Sequence, residues 1–203
     1  MDSETAPDTA LMLRVRSGDR EAFARLVERY QQPVISFIFR SLGDLAEAED
    51  LSQQVFVQVH KAAARYQPAG KFSTWLFTIA RNLCLNELRR RARHPAHSLE
   101  AMEEGEAPGA WRQPEDPRPD GPVDNLLRAE LEARIEEAIR DLPENQRTAL
   151  LLCREETFSY EDIGRVLGCS LTATKSLIHR ARETLKGRLK PYLRSGEWDR
   201  PTD

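Results

Sequence analysis

Apolar residues recur every three or four positions through most of the chain, which is the spacing of an amphipathic α-helix. In the first half the pattern runs through Phe23, Leu26, Val27, Tyr30, Val34, Phe37 and Ile38, and then through Val55, Val59 and Ala63. No useful stretch alternates apolar and polar residues as a half-buried strand would. The pattern therefore predicts an all-α protein.

Residues that commonly cap helices separate these apolar runs. Asp44 is followed three positions later by Glu47, which is the spacing of a capping box. Ser73 is the predicted N-cap of the helix that follows the loop 66–71, YQPAGK. Pro143 is predicted to begin a helix, because proline is tolerated in the first turn.

The stretch 95–122 interrupts the helical pattern. It contains Pro95, Pro108, Pro114, Pro117, Pro119 and Pro122, and proline cannot continue a helix. Between residues 96 and 125, eight acids oppose only two arginines, which gives −6 there and leaves +3 elsewhere, for a net charge of −3. This composition predicts a flexible acidic, proline-rich linker joining two small helical domains, 8–94 and 123–194, with a disordered tail at 195–203.

Composition narrows the chemistry further. No apolar run among the 203 residues approaches the ~20 needed to span a bilayer, and the acidic N-terminus lacks the features of a signal peptide. We therefore expect no membrane insertion and a cytoplasmic location. The three cysteines show no disulfide framework and no CxxC pattern, and no cysteine near His94 and His97 completes a metal site. Neither a metal nor another cofactor is expected.

The stretch 159–185 carries the most specific pattern. Ser159 is predicted to cap a short helix, Gly168 to form a tight turn and Ser170 to cap a second helix. In the second helix, 3–4 spacing predicts a buried stripe of Leu171, Thr174, Ile178, Ala181 and Leu185. The outward face then carries Thr172, Ser176, His179 and Arg180, flanked by Lys175 and Arg182.

This arrangement is typical of a helix-turn-helix, whose second helix fits a DNA major groove. Its basic end would contact phosphates and make binding salt-dependent. An ordinary helical hairpin with a solvated basic face is the alternative, and the spacing leaves it open.

The predicted helix 72–91 places a second polar row beside its apolar face. Trp75, Thr78, Asn82, Asn86 and Arg89 follow one another at spacings of three and four, and the row ends in Arg89-Arg90-Arg91. Amides can hydrogen-bond an unstacked base, an aromatic ring can stack on one and arginines can hold the backbone. The row therefore suits single-stranded nucleic acid. Equally, the amides could be solvated and the arginines could simply favour the helix C-terminus.

Four blocks, in this order, carry a resemblance to a known family. They are AEDLSQQVFVQVHKA, YQPAGKFSTWLFTIARNLCLNELRRR, LPENQRTALLL and FSYEDIGRVLGCSLTATKSLIHRARETL. The chain closely resembles the extracytoplasmic-function (ECF) sigma factors of bacterial RNA polymerase. The resemblance implies a region 2 bundle that opens and reads the −10 promoter element and a region 4 helix-turn-helix that reads the −35 element as duplex.

The resemblance also implies roles for individual residues. Asn82 and Asn86 would engage a flipped base, with the loop from Tyr66 to Lys71 forming its pocket. The other single-strand contacts would be Phe72, Trp75, Thr78, Arg89 and Arg90. The duplex contacts would be Thr172, Ala173, Lys175, Ser176, His179, Arg180 and Arg182.

Partners follow from the same resemblance. Asp50, Gln53, Gln54 and Phe56 would meet the clamp helices of core RNA polymerase, and the second domain would meet its flap. Promoter DNA is the implied ligand, and an anti-sigma protein is the expected inhibitor.

Two alternative functions fit the sequence less well. A free-standing helix-turn-helix regulator would bind duplex DNA as a dimer, but it would have no use for Trp75, Asn82 and Asn86. An enzyme such as a nuclease would need a metal-spaced acidic cluster, a glycine-rich phosphate loop or a nucleophile elbow, and the sequence has none of these. We therefore expect no catalytic residues.

Overall fold

The computed structural model describes residues 7–93, 122–155 and 157–195. Within these ranges the chain is helical and contains no strand, which confirms the all-α prediction. Most of the predicted linker, up to residue 121, lies outside the described residues, as does the predicted tail after Ser195.

The first module contains four α-helices, α1 (Pro7–Arg16), α2 (Arg20–Leu42), α3 (Leu45–Ala62) and α4 (Phe72–Arg93). A 3₁₀ turn, Ala63–Arg65, follows α3 and leads into the loop before α4. Asp19 caps α2 by accepting from the Ala22 amide at 3.0 Å, and Asp44 caps α3 by accepting from the Glu47 amide at 3.0 Å. Both helices therefore begin where side-chain acceptors satisfy their free amides.

The predicted cap at Ser73 is wrong. Helix α4 already begins at Phe72, and the Trp75 amide donates to the Lys71 carbonyl at 3.4 Å. Ser73 is instead buried inside the first turn. The buried Phe72 packs against neighbouring aromatic rings, and the helix begins two residues earlier than a cap at Ser73 would place it.

The second module contains α5 (Pro122–Arg140), α6 (Glu144–Arg154), α7 (Tyr160–Leu167) and α8 (Leu171–Ser195). Pro143 immediately precedes α6, close to its predicted first-turn position. Apolar side chains of α6, α7 and α8 meet in the interior, including the fully buried Leu152, Ile163 and Ala181.

The two modules pack against each other. One hydrophobic cluster runs without a break from Met12 and Leu76 in the first module to Leu152 and Ile178 in the second. The rings of Phe77 (α4) and Phe158, which precedes α7, meet edge to face at a centroid distance of 5.3 Å. The first module therefore presents α4 to the second module on one side.

None of the helices in the described ranges is long and apolar enough to cross a lipid bilayer.

Candidate nucleic-acid interface

The helix-turn-helix begins with a complete capping box. The Asp162 amide donates to the Ser159 hydroxyl at 3.2 Å, and the Ser159 amide donates back to Asp162 Oδ2 at 3.1 Å. At the other end of α7, Gly168 has a φ of 67°, a left-handed conformation that glycine adopts without strain. Ser170 then caps α8 by accepting from the Ala173 amide at 3.2 Å. The three predicted local signals of the motif are therefore confirmed.

Close backbone approach holds the two helices of the motif together. A Cβ at Gly164 would lie 2.9 Å from the Cys169 carbonyl oxygen and 3.0 Å from the Thr174 hydroxyl. Thr174 is fully buried, and its hydroxyl donates to the Ser170 carbonyl at 3.0 Å. Glycine at 164 thus sets the distance between α7 and the start of α8.

The predicted outward face of α8 is exposed. Its exposed members are Thr172, Lys175, Ser176, His179, Arg180 and Arg182, while Ala173 is half-buried. In the stripe on the opposite side, Thr174, Ile178 and Ala181 are buried and Leu185 is half-buried. Leu171, predicted to join that stripe, is instead exposed. It is the first residue of α8, so its side chain lies at the edge of the packed face.

The polar row on α4 also faces solvent. Asn82, Asn86 and Arg89 are exposed, and Trp75 and Thr78 are half-buried beside them. The Thr78 hydroxyl donates to the Thr74 carbonyl at 2.7 Å, so its hydrogen is used within the helix while its oxygen can still accept a hydrogen bond. The second module contacts α4 on a different side, through Phe77 and Arg81. The row therefore stays open while the modules are packed together.

Two aromatic residues predicted beside this row are buried. Tyr66 is 5% exposed and Phe72 is 1% exposed, and burial raises the pKa of the Tyr66 hydroxyl. The Trp75 ring packs on both, with centroid distances of 5.0 Å to Tyr66 and 6.0 Å to Phe72. Of the three rings, Trp75 alone offers part of its surface to solvent.

One acid, Glu87, binds two of the three consecutive arginines at the end of α4. Glu87, 6% exposed, accepts from the Nε of Arg90 at 2.6 Å and from the Nε of Arg91 at 2.8 Å. Arg91 also donates to the Leu42 carbonyl at 3.2 Å, which ties α4 to the end of α2. Arg89 makes no side-chain ion pair within the described residues and faces solvent.

Lys71, at the end of the predicted base-pocket loop, forms an ion pair and a hydrogen bond with the second module. Its Nζ lies 2.9 Å from Asp162 Oδ2 and donates to the Thr157 carbonyl at 2.8 Å. Burial alone would favour protonated Asp162, but hydrogen bonds from Lys71 and Ser159 outweigh it and lower the pKa of this carboxyl. The loop and the helix-turn-helix are thus joined by a charge-assisted contact.

The residues predicted to meet the polymerase lie on α3. Asp50, Gln53 and Gln54 are exposed, whereas Phe56 is 8% exposed. Gln53 and Phe56 line a groove of about 660 Å³ between α2 and α3, and Asp50 and Gln54 lie outside its lining.

Sequence reasoning missed other members of that groove. Val57, 50% exposed, His60 and Phe23 line it, and the Phe23 ring packs edge to face on the His60 ring at a centroid distance of 5.2 Å. Val57 could have indicated this groove from the sequence, because it is an apolar residue next to the buried Phe56 and therefore falls outside the buried stripe of α3.

Within the described ranges, no group of three or more His, Cys, Asp or Glu side chains could hold a metal ion. His94 and His97 lie outside those ranges.

The fold and its exposed faces define a class, an all-α protein of two modules that carries a helix-turn-helix in the second. Comparison with known proteins gives the family. The Sigma-70 region 2 model matches residues 26–94, and the Sigma-70 region 4 model matches residues 132–185. The chain belongs to the ECF sigma factors.

Curated relatives support this membership over nearly the full chain. The RNA polymerase sigma-H factor of Pseudomonas aeruginosa is 37% identical and aligns over 92% of this chain and 96% of its own length. The ECF RNA polymerase sigma-E factor of Haemophilus influenzae is 32% identical over 94% of this chain and 100% of its own length.

Solved structures agree. The sigma factor RpoE of Bartonella quintana, determined in complex with the anti-sigma factor NepR, matches with a TM-score of 0.61 at 25% identity, covering 83% of this chain and 96% of that one. CnrH, determined with the cytosolic domain of CnrY, shares the fold with a TM-score of 0.63 at 24% identity, covering 91% of this chain and 97% of that one. As an ECF sigma factor, this protein is a non-catalytic initiation factor that directs promoter-specific transcription.

Proposed function

We propose that the two modules read one promoter in two physical states. The first module, 8–94, acts as region 2 and binds the −10 element as a melted single strand. The second, 123–194, acts as region 4 and binds the −35 element as intact duplex. Residues 95–122 would connect them, and 195–203 would form a short tail.

The observation that carries the proposal is the exposed amide row on α4. Asn82 and Asn86 project from a helix whose other sides are committed to the core and to the second module. Amide groups can read the hydrogen-bonding edge of an unstacked base, and a half-exposed Trp75 can stack on one. The buried Tyr66 and Phe72 would fix the Trp75 ring and shape the pocket wall.

At the end of the same row, the proposed backbone contacts come from arginine. Arg89, which makes no side-chain ion pair within the described residues, would meet a phosphate. Arg90 keeps part of its donor capacity because only its Nε and Nη2 are used by Glu87. Lys71 would add a third cation once it is released from Asp162. Such contacts position a strand without reading its sequence.

For the duplex, we propose that α8 enters the major groove. Thr172, Ser176 and His179 would face base edges, with half-buried Ala173 making apolar contact near the helix start. Lys175, Arg180 and Arg182 would neutralise phosphates, which makes this contact strongly salt-dependent.

We also propose two protein partners, core RNA polymerase and an anti-sigma protein, and a cellular location. Core RNA polymerase would place its clamp helices against α3, on Asp50, Gln53 and Gln54 and over Phe56, and its flap against the second module. An anti-sigma protein would hold the factor inactive, and the similar RpoE of Bartonella quintana was solved bound to such a protein, the anti-sigma factor NepR. All of this would take place in the cytoplasm.

The test is transcription reconstituted from core polymerase and this protein. Promoters would first be mapped by sequencing transcripts after overexpression. One mapped promoter would then be assayed as closed duplex and as a template with a premelted −10 bubble. We expect initiation on both, and tighter binding of the holoenzyme to the bubble. Equal affinity for the two templates would overturn the single-strand assignment.

A further inference from the structure

Within the described residues, the ion pairs that cross the interface between the modules all have the same sense. Arg40, Lys71 and Arg81 of the first module meet Glu136, Asp162 and Glu144 of the second module. Each base lies on the first module, the proposed strand-binding module, and each acid lies on the second module, the proposed duplex-binding module. Ion pairs of this kind weaken as salt is added or as a competing polyanion arrives.

The strongest of these pairs lies between α4 and α6. Arg81 holds Glu144 through two bonds, Nε to Oε1 at 2.9 Å and Nη2 to Oε2 at 3.1 Å, and its Nη2 also donates to Asn145 at 2.8 Å. The two side chains are 14% and 25% exposed. Because the pair is forked and largely shielded from water, reversing one charge would place like charges in contact and weaken the packing of the modules.

The pair at Lys71 has a different consequence, because it involves the loop before α4. Asp162 is 5% exposed on its side chain, and with the Thr157 carbonyl it occupies two donors of the Lys71 ammonium. Just before Lys71, a Cβ at Gly70 would lie 3.2 Å from the Arg165 guanidinium, so the loop backbone rests on α7. The loop is therefore held by the helix-turn-helix while Asn82 and Asn86 remain exposed.

We propose that this packing is an autoinhibitory contact, in which Asp162 of the duplex-binding module occupies Lys71 of the strand-binding loop. A DNA strand must displace the carboxylate to gain Lys71, so strand capture and separation of the modules are coupled. The proposal rests on the assignment of Lys71 to single-strand binding. It adds that one module competes with DNA for a residue of the other.

The first test measures the closed contact without DNA. Acylation of Lys71 by a water-soluble activated ester is followed by mass spectrometry, with the exposed Lys61 of α3 as internal reference. Asp162 is left unchanged because it also caps α7. We expect R81E to raise the Lys71 rate about five-fold relative to Lys61, the factor that corresponds to loss of about 1 kcal/mol. The double variant R81E/E144R should restore the wild-type rate.

R25E is the matched control, because it makes the same charge change at an exposed site on α2, where Arg25 pairs with Glu21 of its own helix and with no other acid that the structure describes. It should leave the Lys71 rate unchanged. If R81E changes the rate no more than R25E does, or if the double variant fails to restore it, the closed contact does not exist in solution and the proposal is overturned.

The second test adds a single-stranded oligonucleotide of a mapped −10 element to the full chain. Dyes attached through unnatural amino acids at the exposed positions 28 (α2) and 184 (α8) report the separation of the modules by energy transfer. We expect transfer to fall as the strand binds, and to fall at lower strand concentration in R81E. A strand that binds to saturation with unchanged transfer overturns the competition, while the transcription assay above decides the promoter-reading function separately.

Discussion

Glu87 accepts a hydrogen bond from the Nε of Arg91 at 2.8 Å, and the same carboxylate binds Arg90 on its other side. The Glu87 side chain is 6% exposed, so one shielded acid holds two cations at the end of α4. Through Arg91 it also holds the end of α2, because Arg91 donates to the Leu42 carbonyl.

From this geometry we predict that Glu87→Gln lowers the free energy of unfolding by about 1–3 kcal/mol, because two charge-assisted bonds lose their ionised acceptor. Urea denaturation followed by circular dichroism measures the change. Glu28→Gln, an exposed neutralisation on α2, should stay within about 0.5 kcal/mol of wild type. A similar loss in both variants would mean that net charge, and not this contact, matters.

The same residue predicts a pH dependence. Although burial favours its neutral form, hydrogen bonds from Arg90 and Arg91 lower the pKa of Glu87 below its ordinary value of 4.5. A carboxyl with a lowered folded pKa stabilises the protein above its unfolded pKa, and that stabilisation is lost as pH falls through the folded value. Below pH 4.5, wild-type stability should therefore fall more steeply than that of Glu87→Gln, as measured by urea midpoints across the acid range.

Two glycines of the second module should respond to alanine in opposite directions. Gly187→Ala on the exposed side of α8 meets nothing within 4 Å and should stabilise the protein by up to about 1 kcal/mol, since alanine favours helix. Gly164→Ala should destabilise it by about 1–3 kcal/mol, because its Cβ would press on the Cys169 carbonyl. Thermal unfolding of both variants checks the sign, and a stabilising Gly164→Ala would contradict the close approach of α7 and α8.

Asn82→Ala should impair promoter melting more than closed-duplex binding. Asn82 is exposed on α4 and lies outside the packed core, so the variant should fold normally. We expect a loss of about 1–3 kcal/mol in affinity for the bubble template, the range for a side chain that hydrogen-bonds a base edge. Filter binding on bubble and closed templates separates the two effects, and an equal loss on both would contradict a base-reading role.

Arg180→Ala should weaken duplex binding and reduce the slope of log affinity against log salt by about 1, if one phosphate contact is lost. Fluorescence anisotropy with a duplex carrying the mapped −35 element measures both quantities. Arg25→Ala removes the same charge from α2, outside the proposed duplex face, and should leave the slope unchanged. An unaltered slope in Arg180→Ala would remove this residue from the interface.

Val57→Ser should weaken binding to core polymerase about five-fold without unfolding the protein. Val57 is half-exposed in the groove between α2 and α3, so burying it under a partner helix would contribute about 1 kcal/mol. Leu45→Ser, at the exposed start of the same helix and outside the groove, is the matched control. Pull-down with core polymerase at several protein concentrations would show whether the two variants differ.

Much of the fold was predictable from local chemistry. The helical period of apolar residues, the capping residues and the turn residues all act over a few positions of the chain. The helix-turn-helix from Ser159 onward and the exposed row through Asn82 and Asn86 could therefore be predicted from the sequence. The predictions that were wrong concern the ends of helices. Leu171 fits the helical period of the buried stripe, but it is the first residue of its helix and is exposed. Ser73 is a residue type that often caps helices, but it lies inside the first turn of a helix that begins at the buried Phe72.

The packing of the two modules against each other could not be predicted from local sequence patterns. Lys71 and Asp162 are far apart in the chain, and neither is unusual among its neighbours: one ends a surface loop, and the other completes a capping box. Arg81 and Glu144 likewise sit at ordinary helical positions. The amino-acid order sets which side chains each helix displays. Which displayed charges become partners depends on how two separately patterned surfaces pack, because Coulomb attraction and burial act between residues that are close in space, whatever their separation along the chain.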